Sequence, residues 1–331
     1  MHSNYWHPKG TSPDPAFVEE LRASASVQDI DVLKSIISKS LEGREVTSVS
    51  LKEGTFVYRA RKLSGQFCKE SPITPMDLSY PPTAVCSMGR LHRAGQPVFY
   101  CSTSKSPLLY ELDAAVGDEF ILSIWKLQKP ALVNNIGYTK KVFESFGSSR
   151  EPQMWGSPRL DDLENGLDPL YADYLSALFA EKAAGPTDET YKLSVAIAEI
   201  HYGTIEGQSN VFAGVLYPTV AGKANGDNVA LLPWYVDSSL EWLKAIHIRV
   251  TAVHTDGWSI DELDSARGGD ATGNLVWAGH PPQIVLDRQG AQCGCVFKTG
   301  VDLLGDYIHG KDGIIGHWEC FDPVTGEKYF F

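Results

Sequence analysis

The chain has 331 residues, of which 43% are hydrophobic and 21% charged, with 30 Gly and 19 Pro, a composition that excludes collagen-like, disulfide-scaffold and wholly disordered proteins. Asp and Glu total 41 against 29 Lys and Arg, and the net charge of −12 argues against direct binding of nucleic acid. No apolar run reaches the roughly 18 residues of a membrane-spanning helix, and the first residues lack the regions of a secretory signal. We therefore expect no membrane association and a cytoplasmic location.

The predicted elements begin with helices. Apolar residues at helical spacing between Pro15 and Gly43 predict one or two amphipathic helices in an N-terminal segment, residues 1–45. From Val46 the apolar period drops toward two, which predicts that a sheet begins there. Whether the N-terminal helices form a homo-oligomer stays open at this point.

Strands and helices then share residues 46–244. Ser106 and Pro107 have the residue types of an N-cap and a first helical position, so a helix is expected there. The segment of residues 134–166 is too long and irregular to be an ordinary connection between two elements, so it is a candidate lid over a site. Alternating apolar residues predict a β-rich C-terminal extension over residues 245–331. The fold class expected from this order is α+β.

Four separated segments carry a shared pattern. They are Phe56-Val57-Tyr58-Arg59-Ala60-Arg61; Gly89-Arg90-Leu91-His92 continuing to Pro97-Val98-Phe99-Tyr100; Ser106-Pro107-Leu108-Leu109-Tyr110-Glu111; and Gly214-Val215-Leu216-Tyr217-Pro218-Thr219-Val220 followed by Asn228-Val229-Ala230-Leu231. In this order the segments resemble the RES domain, a family named for its Arg, Glu and Ser, whose known members are bacterial toxins that act on NAD. The resemblance covers residues 46–244.

Two positions depart from the family pattern. His92 stands where the family has Asn, which puts a substrate contact from that position in doubt. Thr219 stands where the family has its signature Ser, and it keeps the hydroxyl while adding a methyl group. These two changes motivate an alternative of a different class, in which the domain is a non-catalytic module that binds a nucleotide or a partner protein.

The resemblance implies a fold and a reaction. The fold is ADP-ribosyltransferase-like, with a mixed or antiparallel sheet core and flanking helices. The reaction is cleavage of the bond between nicotinamide and ribose in NAD, which is a substrate here, so no cofactor is expected. The resemblance leaves the nucleophile open. If water is the nucleophile, the protein is an NAD glycohydrolase; if phosphate is the nucleophile, it is an NAD phosphorylase. We rank these two activities above the third, an ADP-ribosyltransferase, in which a protein side chain is the nucleophile. The expected partner is a cognate Xre-type antitoxin.

Glu111 is the candidate carboxylate of the reaction, because cleavage passes through an oxocarbenium-like transition state that a nearby negative charge stabilises. Its position lies beyond the third helical residue, from which a capping-box Glu reaches back to the N-cap, so capping does not explain it. Arg59 and Arg90 are candidates to clamp a diphosphate through paired hydrogen bonds. The alternatives are a solvated helix carboxylate and structural ion pairs.

The remaining candidates surround the ribose and the nicotinamide. Tyr100 follows a short strand and can stack on nicotinamide, although a core tyrosine is the competing interpretation. Thr219 is a candidate catalytic residue whose hydroxyl bonds the ribose or only caps a turn. The resemblance adds Tyr58, His92 and Asn228 as substrate-binding candidates. Strand alternation predicts that Arg59 and the neighbouring Tyr58 lie on opposite faces of their strand.

Metal and nucleotide motifs are few. Cys293, Cys295, His317 and Cys320 can supply four soft ligands, but the Cys-x-Cys spacing is less diagnostic of zinc than paired Cys-x-x-Cys, so we predict no metal and leave zinc open. The sequence contains no Gly-x-Gly-x-x-Gly and no phosphate-loop Gly-Lys-Ser/Thr, which excludes the usual dinucleotide-fold oxidoreductases and ATPases.

Overall fold

The computed structural model describes residues 15–41, 48–65, 67–69, 71–103, 105–137, 175–176, 178–179, 189–203, 211–217, 227–254 and 257–279, together with the strands 295–299, 308–309, 315–321 and 328–329. The helices are α1 (Pro15–Val27), α2 (Ile30–Leu41), α3 (Ser106–Glu111), α4 (Glu189–His201) and α5 (Pro233–Ser239). The helices predicted before Gly43 and after Ser106 are confirmed. Among the helices of the described chain, none is both long enough and apolar enough to cross a membrane.

Ten strands form the main sheet. They are β1 (Ser48–Leu51), β2 (Phe56–Lys62), β3 (Phe99–Ser102), β4 (Glu119–Leu127), β5 (Ala131–Asn135), β6 (Gly214–Tyr217), β7 (Asn228–Leu231), β8 (Leu240–His254), β9 (Gly257–Gly269) and β10 (Leu275–Trp277). Their spatial order is β1-β5-β6-β7-β3-β2-β4-β8-β9-β10. Only the pairing of β5 with β6 is parallel among these strands, so the sheet is mixed and the fold is α+β, as expected.

Apolar residues cover both faces of this sheet. One face carries Val57, Phe99 and Cys101 beneath the 3-10 turn Pro75–Leu78 and the first turns of α5. On the opposite face, α1, α2 and α4 pack over β6, β7 and β3, while α3 packs over β2, β4 and β8. We call this second side the helix face. The candidate site lies on this face, at the neighbouring strands β7, β3 and β2.

Gly214 allows β6 and β7 to approach each other closely. A Cβ atom at this position would lie 2.0 Å from the main-chain oxygen of Ala230, a distance that real Cβ atoms do not adopt. The glycine in the fourth motif segment therefore has a structural reason of its own, since any side chain would push β7 away from β6.

The boundary expected after residue 244 falls inside β8. Ile246, Ile248 and Val250 point into the same apolar cluster as Phe120 and Leu122 of the neighbouring strand β4. The alternating apolar residues that predicted a separate β-rich extension are therefore core-facing residues of the main sheet. The strands β8, β9 and β10 extend this sheet at one edge.

The remaining strands form a second, four-stranded sheet. It comprises β11 (Cys295–Thr299), β12 (Ile308–His309), β13 (Ile315–Phe321) and β14 (Lys328–Tyr329), and β13 pairs with each of the other three in antiparallel fashion. The β-rich character predicted for the end of the chain is thus confirmed for these residues, in a sheet distinct from the first.

Candidate functional site

A row of side chains crosses the middle of the sheet on the helix face. The register pairs Tyr217 with Asn228, Asn228 with Ser102, and Ser102 with Tyr58. Residues directly opposite each other on neighbouring strands project from the same face. All four side chains are buried. The row therefore forms a continuous polar and aromatic floor made from two of the four motif segments, the first and the fourth, and from Ser102.

Glu111 lies over this floor at the last residue of α3. The helix begins with Pro107 in its first turn and is anchored by Leu108 and Leu109, which pack into the apolar cluster on the helix face. The side-chain amide of Asn228 donates to Oε1 of Glu111 at 2.7 Å. The carboxylate itself is exposed. An exposed carboxylate held in place by a buried amide can face a developing positive charge on a bound molecule.

Tyr217 lies beside this carboxylate. Burial, and next the nearby negative charge of Glu111, raise the pKa of the Tyr217 phenol well above its usual range. Arg90 acts in the opposite direction on the same pKa, which puts its guanidinium within electrostatic range of the phenol. The Tyr217 hydroxyl therefore stays protonated at neutral pH and is available as a hydrogen-bond donor next to Glu111.

Arg90 reaches the site from the loop before β3. Its Nη1 donates to the main-chain oxygen of Phe179 at 2.7 Å, and its own main-chain oxygen accepts from the Ser194 hydroxyl of α4 at 2.7 Å. The aromatic ring of Phe179 in turn lies 6.2 Å from that of Tyr217. The structure therefore brings Arg90 to the edge of the floor, with one part of its hydrogen-bonding capacity committed to the protein.

Tyr100 and His92 contact each other directly. The Tyr100 hydroxyl accepts from the main-chain N–H of Leu91 at 3.0 Å and lies 2.9 Å from His92 Nδ1. His92 Nε2 lies 3.0 Å from the main-chain oxygen of Ser87, which can only accept. Nε2 therefore carries the proton, and Nδ1 accepts from Tyr100. Burial lowers the pKa of His92, in agreement with a neutral ring.

Gly89 explains how this ring is accommodated. A Cβ atom at Gly89 would lie 2.4 Å from Cε1 of His92. The Gly-Arg pair of the second motif segment therefore has two separate uses, since the glycine makes room for the His92 ring and the arginine extends toward Tyr217.

Arg59 lies on the opposite face from Tyr58, as the alternation predicts. Its Nη1 donates to the main-chain oxygen of Tyr100 at 2.9 Å, and its guanidinium lies 5.6 Å from the centre of the Phe99 ring. Burial lowers the pKa of Arg59 to about 10. Among the described residues, none accepts a hydrogen bond from its Nε. The structure thus brings Glu111, Asn228, Tyr58 and Tyr217 to one face and places the Arg59 side chain on the other.

Two lysines that the sequence reasoning missed extend the floor. Ile124 of β4 is opposite Tyr58, and Lys244 of β8 is opposite Ile124, so Lys244 continues the same row. Lys105, which precedes α3, has its Nζ 5.9 Å from the centre of the Tyr58 ring. The sequence contained one signal for Lys244. It lies two residues before Ile246 and four before Ile248, so strand alternation places all three side chains on the same, core-facing side.

Thr219 and Cys293 lie outside the described residues. The register places Cys295 opposite Cys320 and His317 opposite Lys298 in the second sheet. Within the part of the chain that could be searched, no group of three or more His, Cys, Asp and Glu residues is arranged to hold a metal ion.

A cleft of about 630 Å³ lies between α2, α4 and the loop before β3, and His92 is one of its lining residues. Its charged groups pair with one another: Arg93 binds Asp31 at 2.5 Å and Glu199 at 2.5 Å, and Lys34 binds Glu199 at 3.0 Å. Arg93 therefore forms structural ion pairs, and these pairs join α2 to α4.

Comparison of the chain with protein-family models, with curated proteins and with solved structures finds no match in any of the three. A functional assignment therefore depends on the motif residues and on the geometry of the floor beneath Glu111.

Proposed function

We propose that this chain is an NAD-consuming enzyme of the RES type, with an ADP-ribosyltransferase-like fold, which cleaves the nicotinamide–ribose bond as an NAD glycohydrolase or an NAD phosphorylase. The observation that carries the proposal is the hydrogen bond of 2.7 Å from Asn228 to Glu111. These two residues come from different motif segments, 117 positions apart. A solvated helix carboxylate has no need of a buried amide from a distant strand.

In the proposed reaction, the C–N bond between ribose and nicotinamide breaks and its electron pair stays on the nicotinamide nitrogen. The ribose carbon becomes positively charged, and the Glu111 carboxylate stabilises that charge. Asn228 positions the carboxylate, and the protonated Tyr217 hydroxyl supports the ribose. Water or phosphate then forms the new bond to carbon and loses a proton to solvent.

In the cell, this activity is that of a toxin component held in check by a cognate Xre-type antitoxin. The chain's net charge of −12 agrees with a division of labour in which the partner binds DNA. Arg90 remains the candidate for contact with a phosphate on this side of the sheet, since the Arg59 side chain lies on the other face.

A second candidate function is a non-catalytic module that binds a nucleotide or a partner protein. One observation favours it: the hydrogen-bonding groups of Tyr100 and His92 are used on each other and on the main chain, rather than held open for a substrate. A protein ADP-ribosyltransferase shares the chemistry of the first proposal and differs only in the nucleophile.

The test is release of nicotinamide from NAD by the purified full chain, with and without phosphate, followed by chromatography. We expect release that Glu111→Gln abolishes and that Glu53→Gln, a matched change at an exposed turn carboxylate, leaves intact. Dependence on phosphate identifies a phosphorylase. Release of nicotinamide that requires an added acceptor protein, with ADP-ribose attached to that protein, identifies a transferase, and absence of release under all three conditions supports the binding module.

A further inference from the structure

Lys244 is a buried cation on the helix face. Its side chain is 5% exposed, in a strand whose next inward residues are Ile246 and Ile248. No hydrogen bond or ion pair of its ammonium group is found among the described residues, and this group is not one of the polar atoms that are fully shielded from solvent. Buried charges in proteins are normally paired, because the cost of removing an ion from water is otherwise not offset. Lys244 therefore has a buried side-chain stem and an ammonium group that a bound anion could pair with.

Other charges act on the Lys244 ammonium group. Arg267 and Lys105 both lower the pKa of Lys244, and Glu262 raises it. With burial as the largest cause, the pKa of Lys244 falls to about 8. An anion placed among these cations would be attracted by several of them and would keep the Lys244 ammonium charged at neutral pH.

We propose that Lys244 and Lys105 form an anion subsite that holds the diphosphate of the dinucleotide whose ribose lies at Glu111. In naming the anion, the inference rests on the proposed function. The subsite itself rests on the row Asn228, Ser102, Tyr58, Ile124 and Lys244, on the placement of Lys105 above Tyr58, and on the low exposure of Lys244.

The spacing of the strands suits an extended ligand. Neighbouring strands lie about 4.8 Å apart, so Tyr58 is roughly 10 Å and Lys244 roughly 19 Å from Asn228 along the row. Lysine side chains are long and flexible, so their ammonium groups reach back toward the ribose position. The subsite takes the diphosphate-binding role that the sequence predicted for Arg59. The Arg59 guanidinium instead donates to the main-chain oxygen of Tyr100 on the other side of the sheet.

The experiment measures binding without catalysis. Inorganic diphosphate, ADP-ribose and adenosine are titrated into the full chain by calorimetry, using wild type, Lys244→Met, Lys105→Met and the control Lys52→Met, which changes an exposed turn lysine. Methionine keeps the length of the side chain and removes the charge. We expect both subsite variants to bind diphosphate and ADP-ribose roughly 10- to 100-fold more weakly, as the loss of a charge-assisted hydrogen bond implies. Adenosine binding and the control should not change.

The result that overturns the subsite is diphosphate binding of equal strength in wild type and Lys244→Met, or no diphosphate binding by wild type. Thermal unfolding of each variant shows whether it is folded, and Lys105→Met repeats the test at an only partly buried position. Nicotinamide release separates the two proposals. If Lys244→Met releases nicotinamide with an unchanged KM for NAD, the subsite proposal is wrong and the proposed function stands. If the protein binds diphosphate through these lysines but releases no nicotinamide, the proposed function is wrong and the anion site stands.

Discussion

The Tyr100 hydroxyl donates to Nδ1 of His92 across 2.9 Å, and the same oxygen accepts the main-chain N–H of Leu91 at 3.0 Å. One phenol therefore satisfies two groups of the loop that carries Arg90. The loop's conformation depends on this oxygen, because the Leu91 N–H and His92 Nδ1 have few other partners so far from solvent.

We expect Tyr100→Phe to lower the free energy of unfolding by about 1 to 3 kcal/mol, because it leaves a buried N–H and a buried ring nitrogen unsatisfied. Urea unfolding of the two proteins at pH 7.5 measures the difference. Tyr80→Phe is a suitable control, since its hydroxyl bonds the exposed Asp237 at the surface. Equal stability of Tyr100→Phe and wild type would show that water replaces the missing hydroxyl.

Asn228→Ala tests the anchoring of Glu111. We expect the kcat for nicotinamide release to fall on the order of 10²-fold, with a smaller change in KM, because the carboxylate loses the amide that positions it for the transition state. Asn274→Ala, in the exposed turn before β10, is the matched control. If kcat falls as far as it does in Glu111→Gln, the Glu111 carboxylate contributes to catalysis only when Asn228 positions it. If kcat is unchanged, Asn228 has no role in the reaction.

Gly214→Ala tests the close approach of β6 and β7. The added Cβ meets the Ala230 oxygen at 2.0 Å, so the strands must separate, and we expect a loss of about 3 kcal/mol or more of stability. Gly268→Ala offers a control in β9, where no heavy atom lies within 4 Å of the added carbon. Chemical denaturation compares both with wild type. If the two variants unfold at the same denaturant concentration, the approach of these strands is looser than described.

Lys244 makes a prediction for alkaline pH. Its pKa is about 8 in the folded protein, against the 10.5 of a solvated lysine in the unfolded chain, so above pH 8 the unfolded chain binds more protons than the folded one. Its contribution to stability therefore rises as pH increases through this window. We expect wild type to gain about 2 kcal/mol relative to Lys244→Met between pH 8 and pH 9.5. Denaturation curves at both pH values measure this difference.

The comparison with Lys244→Met removes contributions that the two proteins share. Burial raises the pKa of Cys101, which destabilises both proteins at alkaline pH in the same way. A difference between wild type and variant that stays constant from pH 8 to pH 9.5 would mean that the ammonium is as well solvated in the folded protein as in the unfolded chain, so that burial does not lower the pKa of Lys244.

Several features of the site followed from local pattern. The period of two across Tyr58 and Arg59 predicted their separation onto opposite faces, and Pro107 predicted where the helix that carries Glu111 begins. Local rules suffice in both cases, because side-chain direction in a strand and the start of a helix depend on residues close in the sequence.

Other features could not be read in this way. The proximity of Lys244 to Tyr58 depends on the placement of β4 between β2 and β8, which pairs Tyr58 with Ile124 and Ile124 with Lys244, residues far apart in the sequence. The same placement brought residues 245–279 into the main sheet, where the alternation of Ile246 and Ile248 had suggested a separate unit. The partnership of His92 with Tyr100 likewise depends on how a loop folds back on its strand.

The sequence by itself determined the class of elements, the motif order and the acidic charge, since composition, periodicity and residue type are local properties. The choice of Glu111 and Asn228 as candidates came from what the resemblance to the RES family implies. Only the tertiary structure decided that Glu111 and Asn228 contact each other and that the Arg59 side chain lies on the other face of the sheet. It also decided that Lys244 lies at the end of the cross-strand row that contains Asn228. Strand order and register arise from the burial of whole faces against helices, and that burial is a property of the assembled sheet.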